Sequence, residues 1–281
     1  MRLDFVKMEG CGNDYVYINA FEHNIENPSE LAVRLSDRHF GIGGDGVILV
    51  APSEVADGRM IMFNMDGSEG KMCGNGVRCV GKFLHDIIGI KKDELTVETL
   101  SGIKTLKMII DDNGEATGAV VDMGKAILNP MLIPANINAD VAIGYTLPVG
   151  DEDYKVTLVS MGNPHAVVFT DTPVEDIDLT KIGPLFEKHV VFPEGVNTEF
   201  VNIIDDKTLR MRVWERGSGE TWACGTGTCA TVVAACLNGH CKKGEDILVH
   251  LNGGDLVINY TDDRVLMTGP CTRVFDGAIE V

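Results

Sequence analysis

The sequence predicts an α+β protein that is built from two similar domains. Strand-like alternation of apolar and polar residues recurs along the chain, for example over residues 3–8, 95–123 and 247–251. Two apolar helix patterns each follow a Cys-Gly-x-Gly turn, one at Cys73 and the other at Cys224. These two turns and their surroundings occur in the same order about 150 residues apart, which predicts two domains related by a pseudo-two-fold axis.

The first elements are two strands, residues 3–8 and 15–18, joined by a glycine turn. A helix is predicted to start at Asn27-Pro28, because proline is favoured in the first turn. The segment 41–46 matches the pattern G-x-G-x-x-G, but it follows a helix and opens a strand. A dinucleotide fingerprint follows a strand and opens a helix, so we interpret 41–46 as a tight turn and do not expect NAD binding.

The strand 59–64 leads into the first cysteine stretch, which begins at Cys73. The helix after Cys73 is apolar around most of its circumference, which predicts a place in the middle of a domain. Strands then fill 95–123, with a hairpin turn at Asn113-Gly114. Proline-containing breaks near 129–134 indicate a domain boundary, and we predict one domain of residues 1–124 plus 268–281 and another of 125–267.

The second half repeats these parts. It is predicted to contain the strands 155–159, 166–169, 199–204, 209–214, 247–251 and 256–260, a turn over 161–165 and helices over 178–188 and after Cys224. The matched landmarks are Gly12-Asn13 with Gly162-Asn163, residues 66–69 with 216–219, and Gly46 with Asn197. A pseudo-two-fold would make the two cysteines face each other across one cleft.

Composition excludes several classes of function. The chain has 281 residues with 42 acidic and 24 basic side chains, a net charge of −18, so it repels phosphate backbones and nucleic acid is not an expected partner. It contains no apolar run of about 18 residues and its first residues lack a signal-peptide core, so we expect a cytoplasmic protein without a membrane partner. The eight cysteines are expected to be reduced, and their spacing does not predict a metal site.

The paired cysteines indicate a particular kind of chemistry. Free N–H groups and the helix dipole at a glycine turn favour a thiolate and also bind anions. A single activated cysteine usually acts as a nucleophile, whereas two symmetric cysteines can remove a proton from one face of a carbon and return one to the other face. An α-amino acid fits this arrangement, because its carboxylate can lie on the N–H groups while its Cα lies between the sulfurs.

The motifs resemble those of the diaminopimelate epimerase family. The resemblance covers the whole chain and rests on the segments 63–79, beginning Phe63-Asn64, and 215–227, beginning Glu215-Arg216, together with Gly12-Asn13-Asp14, Gly162-Asn163-Pro164-His165 and residues 269–277. It implies a cofactor-independent epimerase that interconverts LL- and meso-diaminopimelate, and two domains that each wrap a mostly antiparallel mixed sheet around a central helix.

The resemblance also implies roles for individual residues. It implies that Cys73 and Cys224 are the acid/base pair and that His165 and Glu215 lie beside them. It implies that the reacting carboxylate is held by backbone N–H groups of Gly74, Asn75, Gly225 and Thr226. It implies further that the rest of the substrate is lined by Asn13, Asn64, Asn163, Asn197, Glu215 and Arg216.

Two positions depart from some members of the family. Gly46 stands where a side-chain amide would otherwise reach the substrate, so that contact is in doubt. Phe275 stands where some members have tyrosine, in a region tied to dimer contacts, and a homodimer is therefore expected.

Other interpretations remain open at this point. A related racemase of proline or hydroxyproline would share the fold, but such enzymes typically have histidine at the position of Asn75 and lack the Arg78-Cys79 continuation. A non-catalytic amino-acid-binding relative would be expected to lack one of the two cysteines. The plainest alternatives are a structural thiol for each cysteine, a solvated Arg216, a loop role for His165 and a turn role for each asparagine. Cys11 lies in a glycine turn near the expected site, without a clear role.

Overall fold

The computed structural model describes residues 2–280 and has an α+β architecture, as predicted. Its chain divides into two compact units, whose described residues are 2–122 with 268–280, and 123–267. The domain limits proposed from the sequence stay a prediction. No helix in the described part of the chain is both long enough and apolar enough to cross a membrane.

The first unit is a mixed sheet with two helices. Its strands are β1 (Arg2–Gly10), β2 (Asn13–Asn19), β3 (Gly46–Ala51), β4 (Gly58–Asn64), β5 (Glu69–Gly70), β6 (Glu94–Thr99), β7 (Gly102–Ile110), β8 (Ala116–Asp122) and β18 (Thr272–Glu280), numbered in chain order. Its helices are α1 (Pro28–Ser36) and α2 (Gly74–Lys82), and a π-helical turn, Phe83–Ile87, continues α2.

The second unit contains the corresponding elements. Its strands are β9 (Tyr145–Val149), β10 (Glu152–Ser160), β11 (Pro164–Phe169), β12 (Asn197–Asp205), β13 (Thr208–Glu215), β14 (Gly219–Thr221), β15 (Asp246–His250), β16 (Asp255–Tyr260) and β17 (Val265–Pro270), along which the chain leaves the unit. Its α-helices are α3 (Leu179–Glu187) and α4 (Gly225–Leu237).

The two units share one pattern of strand pairing. In the first, β1–β2 is antiparallel, β2–β3 parallel, β3–β4 antiparallel, β4–β6 parallel and β6–β7 antiparallel. In the second, the series β10–β11, β11–β12, β12–β13, β13–β15 and β15–β16 has the same alternation of directions. The repeat that was read from sequence landmarks is therefore also a repeat of topology.

Each sheet packs around one buried helix, as expected. Every residue of α2 is buried, and α2 contacts β1, β2, β6, β7 and β8. Helix α4 contacts β10, β11, β12 and β16, and it is buried along most of its length. The opposite face of the first sheet packs against α1 through Ala32 and Leu35, and that of the second packs against α3 through Leu179 and Phe186. Burying the apolar faces of each sheet in this way holds the start of α2 or α4 on rigid elements.

One local prediction needs correction. The turn predicted over residues 161–165 is shorter, because Pro164 and His165 belong to β11, where they pair with Ser160 and Val159 of β10. Proline is tolerated there because it occupies the first position of the strand. The correction matters because it moves His165 from a turn to a fully buried strand position.

Candidate active site

Each predicted catalytic cysteine is the N-cap residue of a buried helix. Cys73 precedes α2 with extended backbone angles, and its Sγ accepts a hydrogen bond from the N–H of Gly76 at 3.3 Å. Cys224 precedes α4 in the same conformation, and its Sγ accepts from the N–H of Gly227 at 3.4 Å. The sulfur thus accepts the hydrogen bond that a serine or aspartate side-chain oxygen usually accepts at a helix N-terminus.

The first turn of each helix has backbone N–H groups that precede the intrahelical ladder. The first helical bonds run from Val77 to the carbonyl of Cys73, at 2.8 Å, and from Thr228 to the carbonyl of Cys224, at 2.9 Å. The N–H groups of the two residues after each cysteine come before these bonds and lie at the positive end of the helix dipole. They belong to Gly74, Asn75, Gly225 and Thr226, the residues that were predicted to hold a carboxylate.

Cys73 contacts the side-chain amide of Asn13. Its thiol donates a hydrogen bond to Oδ1 of Asn13, at 3.0 Å, and Cys73 is partly exposed. The Nδ2 of Asn13 donates to the carboxylate of Asp45 at 2.7 Å, and Arg38 in turn donates to Asp45 at 3.0 Å. Because a carboxylate can only accept, Asp45 fixes which end of the Asn13 amide faces the sulfur.

The side chain of Asn75 points away from the cysteine. It is 1 % exposed, and its Oδ1 accepts a hydrogen bond from Arg78 at 3.0 Å. Arg78 is fully buried and also donates to the carbonyl of Gly74 at 3.2 Å. Asn75 therefore presents its backbone, and not its amide side chain, at the start of α2.

Asn64 and Gly46 lie opposite each other where β3 and β4 pair. The Nδ2 of Asn64 donates to Oγ of Ser68 at 3.0 Å. A Cβ at Gly46 would lie 2.1 Å from the carbonyl oxygen of Phe63 and 2.8 Å from the ring of Tyr15, so any side chain there would collide with the backbone. The packing around Gly46 therefore requires glycine, and no side-chain amide can occupy this position.

Cys224 lies among carboxyl groups and is more deeply buried than Cys73. It is 6 % exposed, and Oγ1 of Thr226 is 3.5 Å from its sulfur. Burial, followed by the negative charges of Glu215 and Glu199, raises the pKa of the Cys224 thiol well above its ordinary value. Burial and the two carboxylates outweigh the hydrogen bond from the N–H of Gly227, which lowers the pKa of Cys224 in the direction predicted for a helix N-terminus.

Glu215, the last residue of β13, is held beside Cys224. Its Oε1 accepts a hydrogen bond from the hydroxyl of Thr221. Burial raises the pKa of the Glu215 carboxyl, while the hydrogen bond from Thr221 and the nearby His165 act in the opposite direction. A carboxyl group beside a thiol can exchange a proton with it.

His165 is fully buried and bridges two side chains. Its Nδ1 is 2.7 Å from Oε1 of Glu199, and its Nε2 is 2.9 Å from Oδ1 of Asn163. The predicted site residues Asn163 and His165 are thus in contact, and Glu199 holds the far side of the ring. Our sequence reasoning assigned no role to Glu199, although a lone acidic residue in the apolar strand Thr198–Val201 was a signal that could have identified it.

The side chain of Asn197 links the start of β11 and the turn at Arg216 through hydrogen bonds. Its Nδ2 donates to the carbonyl of Pro164 at 2.8 Å, and its Oδ1 accepts from the backbone N–H of Arg216 at 2.9 Å. The guanidinium of Arg216 is exposed and donates to the carbonyl of Glu194 at 2.8 Å. Arg216 therefore has a fixed backbone and an accessible charged head.

The other cysteines lie outside these two helix starts. Cys79 and Cys229 are buried on α2 and α4, while Cys11 is buried in the β1–β2 turn with φ 53°. Within residues 2–280, none of the eight cysteines is joined in a disulfide. Within residues 2–280, no group of three or more His, Cys, Asp or Glu side chains is arranged to hold a metal ion.

The comparison with known proteins decides the family. The model of the family described as diaminopimelate epimerase matches residues 5–129 and 157–274 of this chain. The chain belongs to the diaminopimelate epimerase family. Relatives in this family include diaminopimelate epimerases of Acetivibrio thermocellus, 51 % identical, and Agathobacter rectalis, 50 % identical, with 99 % of this chain covered in both cases. The alignments cover 98 % and 100 % of those relatives.

Solved structures outside the diaminopimelate epimerase family share the fold. A phenazine biosynthesis protein of the PhzF family from Bacillus anthracis matches with a TM-score of 0.69 at 16 % identity, over 100 % of both chains. A hydroxyproline epimerase from Agrobacterium vitis matches with a TM-score of 0.68 at 16 % identity, over 99 % of this chain and 91 % of the other. At this identity the likeness is one of fold alone.

Proposed function

We propose that this protein interconverts LL-2,6-diaminopimelate and meso-2,6-diaminopimelate, a step in making precursors of lysine and peptidoglycan. The observation that carries the proposal is the repeated N-cap cysteine, present in both units with the same glycine turn and the same hydrogen bond to sulfur. Membership of the diaminopimelate epimerase family supports this choice of substrate. The fold alone would not, because proteins with other activities share it.

The proposed reaction uses the two sulfurs as a base and an acid. One of Cys73 and Cys224, as thiolate, takes the proton from Cα, and the electron pair of the C–H bond moves toward the adjacent carboxylate. The other, as thiol, gives a proton to the opposite face of Cα, which inverts the stereocentre and leaves the proton states of the sulfurs exchanged. His165 and Glu215 assist this exchange beside the cysteines.

The carboxylate at the reacting centre is proposed to lie on the N–H groups at the two helix starts. Donors that are already aimed at this carboxylate stabilise the charge that develops on it when the proton leaves. These donors are the N–H groups of Gly74, Asn75, Gly225 and Thr226. No cofactor takes part in the proposed chemistry.

The distal part of the substrate is proposed to be recognised by side chains. Arg216 suits the second carboxylate, because its planar guanidinium can form two parallel hydrogen bonds with it. The substrate-lining residues are Asn13, Asn64, Asn163, Asn197 and Glu215. Because the amide of Asn197 already binds two backbone groups, we propose that it also holds Arg216 in place.

The decisive experiment is hydrogen exchange at Cα in deuterated water. The protein is incubated with LL-diaminopimelate and, separately, with L-proline, and loss of the Cα–H signal is followed by proton NMR together with the appearance of the meso isomer. We expect exchange and epimerisation with diaminopimelate only. Exchange with proline and not with diaminopimelate would reject the proposal.

We also propose that the protein is a cytoplasmic homodimer. The last strand, β18, pairs with β1, and its apolar side chains Val274 and Phe275 are 54 % and 46 % exposed. Exposed apolar side chains on a strand are a common way for two copies of a chain to associate. Sedimentation of the wild type and of Phe275→Asp tests this assembly: a monomeric wild type rejects it.

A further inference from the structure

Glu199 is a fully buried carboxylate in the second unit. Its Oε1 lies 2.7 Å from Nδ1 of His165, and both side chains are 0 % exposed. Its other oxygen, Oε2, is buried without a hydrogen-bond partner. Burying a carboxylate oxygen in this way costs free energy, so stability alone does not explain the residue.

The fold does not need a charge at this position, as the first unit demonstrates. The parallel pairs are Tyr17 with Ile48 in the first unit and Val167 with Glu199 in the second, so Ile48 and Glu199 occupy the same place in the repeat. Ile48 also lies beneath Gly76 of α2, the glycine that corresponds to Gly227 of α4. A Cβ at Gly76 would be 2.9 Å from Cδ1 of Ile48. An apolar side chain therefore fills this position where no histidine has to be held.

The carboxylate of Glu199 lies directly behind the start of α4. A Cβ at Gly227 would be 2.5 Å from Oε1 of Glu199 and 3.2 Å from Sγ of Cys224. The same glycine donates its N–H to that sulfur. One glycine thus separates the buried carboxylate from the thiol, and only a residue without a side chain permits this approach.

We propose that Glu199 is a positioning residue for the proposed epimerisation: it holds the His165 ring with Nε2 toward Asn163 and keeps a negative charge behind Cys224. The inference depends on the proposed function for its meaning in catalysis. It goes beyond that function because it assigns the positioning of His165 to a residue that does not touch the substrate. The chain of contacts runs from the core through Glu199 and His165 to Asn163, the side chain proposed to meet the substrate.

The donor and acceptor properties of these groups determine the direction of the hydrogen bonds that link Glu199, His165 and Asn163. An ionised carboxylate only accepts, so Nδ1 of His165 carries the hydrogen that faces Glu199. Nε2 is then held 2.9 Å from Oδ1 of Asn163, and it donates to that oxygen when the ring is protonated on both nitrogens. This arrangement is the orienting role that a buried carboxylate often has behind a histidine in an enzyme site.

The charge of Glu199 also acts on Cys224. The titratable groups around this sulfur are Glu215 on β13, Glu199 on β12 and His165 on β11, which acts on Glu215. The first turn of α4 contains no acidic residue. Burial raises the pKa of Cys224 most, and the charges of Glu215 and Glu199 raise it further. Removing the Glu199 charge should therefore lower the pKa of Cys224.

The test compares Glu199→Gln, Glu199→Ile and Asp86→Asn in the full-length protein. Glutamine keeps the size and a hydrogen-bond acceptor but loses the charge, and isoleucine copies the first unit. Asp86 is the control, because it is a partly buried carboxylate that pairs with His85 at 2.6 Å in the first unit. It lies about 20 Å along the helix from Cys73, which follows from the rise per residue.

Two of the readouts do not require activity. The first is the pH dependence of alkylation of Cys224 by iodoacetamide, located by mass spectrometry. We expect the midpoint to move to lower pH in Glu199→Gln, with alkylation about threefold to tenfold faster at a fixed pH below it. The second is the ring-nitrogen NMR spectrum of labelled histidine, assigned with His165→Asn. We expect the Nδ1–H signal of His165 to persist in Glu199→Gln and to be lost in Glu199→Ile.

The third readout is turnover of LL-diaminopimelate. We expect kcat to fall about tenfold or more in Glu199→Gln with a smaller change in KM, and the pH–rate profile to move with the alkylation midpoint. Asp86→Asn should keep the wild-type profile, whatever its stability. Wild-type alkylation of Cys224 in Glu199→Gln, or a wild-type His165 spectrum in Glu199→Ile, would overturn the proposal. So would a loss of activity that only follows unfolding, as measured with urea.

Failure of the proposed function would give a different result. If the wild type does not exchange the Cα proton of diaminopimelate, the epimerase assignment fails. The alkylation and NMR comparisons would still decide whether Glu199 holds His165 and acts on Cys224.

Discussion

The starts of α2 and α4 are built in the same way but have different surroundings. Both have an N-cap cysteine, a Gly-x-Gly turn and a backbone N–H that binds the sulfur. Three matched positions differ, however: Tyr15 and His165, Ile48 and Glu199, and the strand ends Asn64 and Glu215. In each pair the second unit has a histidine or a glutamate where the first has a tyrosine, an isoleucine or an asparagine.

This difference shows that a duplicated backbone need not duplicate proton chemistry. The thiol of Cys73 donates to the neutral amide of Asn13 and is partly exposed. The thiol of Cys224 is buried beside two carboxyl groups, which favours its protonated form in the free protein. Geometry is set by the shared turn, whereas protonation is set by side chains that come from other strands.

The strongest test of the comparison removes each sulfur in turn. We expect Cys73→Ala and Cys224→Ala each to reduce epimerisation by about 10²–10⁴-fold or more, because each removes one of the two proton-transfer groups. Cys236→Ala, on the same helix as Cys224 but away from its start, is the control and should remain active. Proton NMR in deuterated water measures the rates, and wild-type turnover in either variant would refute the two-base mechanism.

The next test makes the second unit resemble the first at Arg216, which follows the end of β13 as Met65 follows the end of β4. We expect Arg216→Met to lower kcat/KM for diaminopimelate about 10–100-fold, since it loses a charge-assisted pair with the distal carboxylate. Arg210→Met removes another arginine, one that pairs with Glu175, and should change kcat/KM little. Equal effects of the two substitutions would argue against carboxylate recognition by Arg216.

A third test adds one methyl group beneath each cysteine. In Gly227→Ala the new Cβ meets the buried carboxylate of Glu199, and we expect a loss of about 1–3 kcal/mol in the free energy of unfolding. In Gly76→Ala it meets the flexible side-chain ends of Ile48 and Met60 at 2.9 and 3.1 Å, so the loss should be smaller. Urea denaturation at neutral pH measures both, and an equal or larger loss for Gly76→Ala would contradict the distinction.

The smallest expected effects are opposite pH dependences of stability in the two units. Burial would raise the pKa of Asp14, but hydrogen bonds from Arg38 and Lys7 outweigh it and hold this pKa below its ordinary value. Its stabilisation is present above the unfolded-state pKa, about 3.9, and is lost as the pH falls through the lower folded-state pKa. Asp14→Asn should therefore be destabilised at neutral pH and approach the wild type in acid.

Glu215 should behave in the opposite sense. Its pKa is raised by burial, so its contribution is fully present below the unfolded-state pKa, about 4.3, and is lost as the pH rises through the folded-state pKa. Glu215→Gln should gain stability relative to the wild type as the pH rises, because it removes the cost of ionising a buried carboxyl group. Urea unfolding between pH 3 and 8 measures both variants, and parallel pH dependences would contradict the comparison.

Much of the fold could be predicted from short stretches of sequence. The strand alternation, the proline at the start of α1, the apolar helices and the hairpin at Gly114 are local signals, and each appears as predicted. The repeat could be predicted because its landmarks keep their order. The placement of His165 was wrong because the Asn-Pro pair resembles a turn, whereas pairing with Val159 extends the strand.

The sequence by itself determined the two N-cap cysteines, the repeat that relates them and the family, because each depends on residues that are close together in the chain. Only the tertiary structure decided their surroundings. His165 and Glu199 are 34 positions apart, and Asn13 and Asp45 are 32 positions apart, so neither pair forms a local pattern. Burial and the carboxylates of Glu215 and Glu199 outweigh the local hydrogen bonds that lower the pKa of Cys224, and for this reason its protonation could not be predicted from the stretch that contains it.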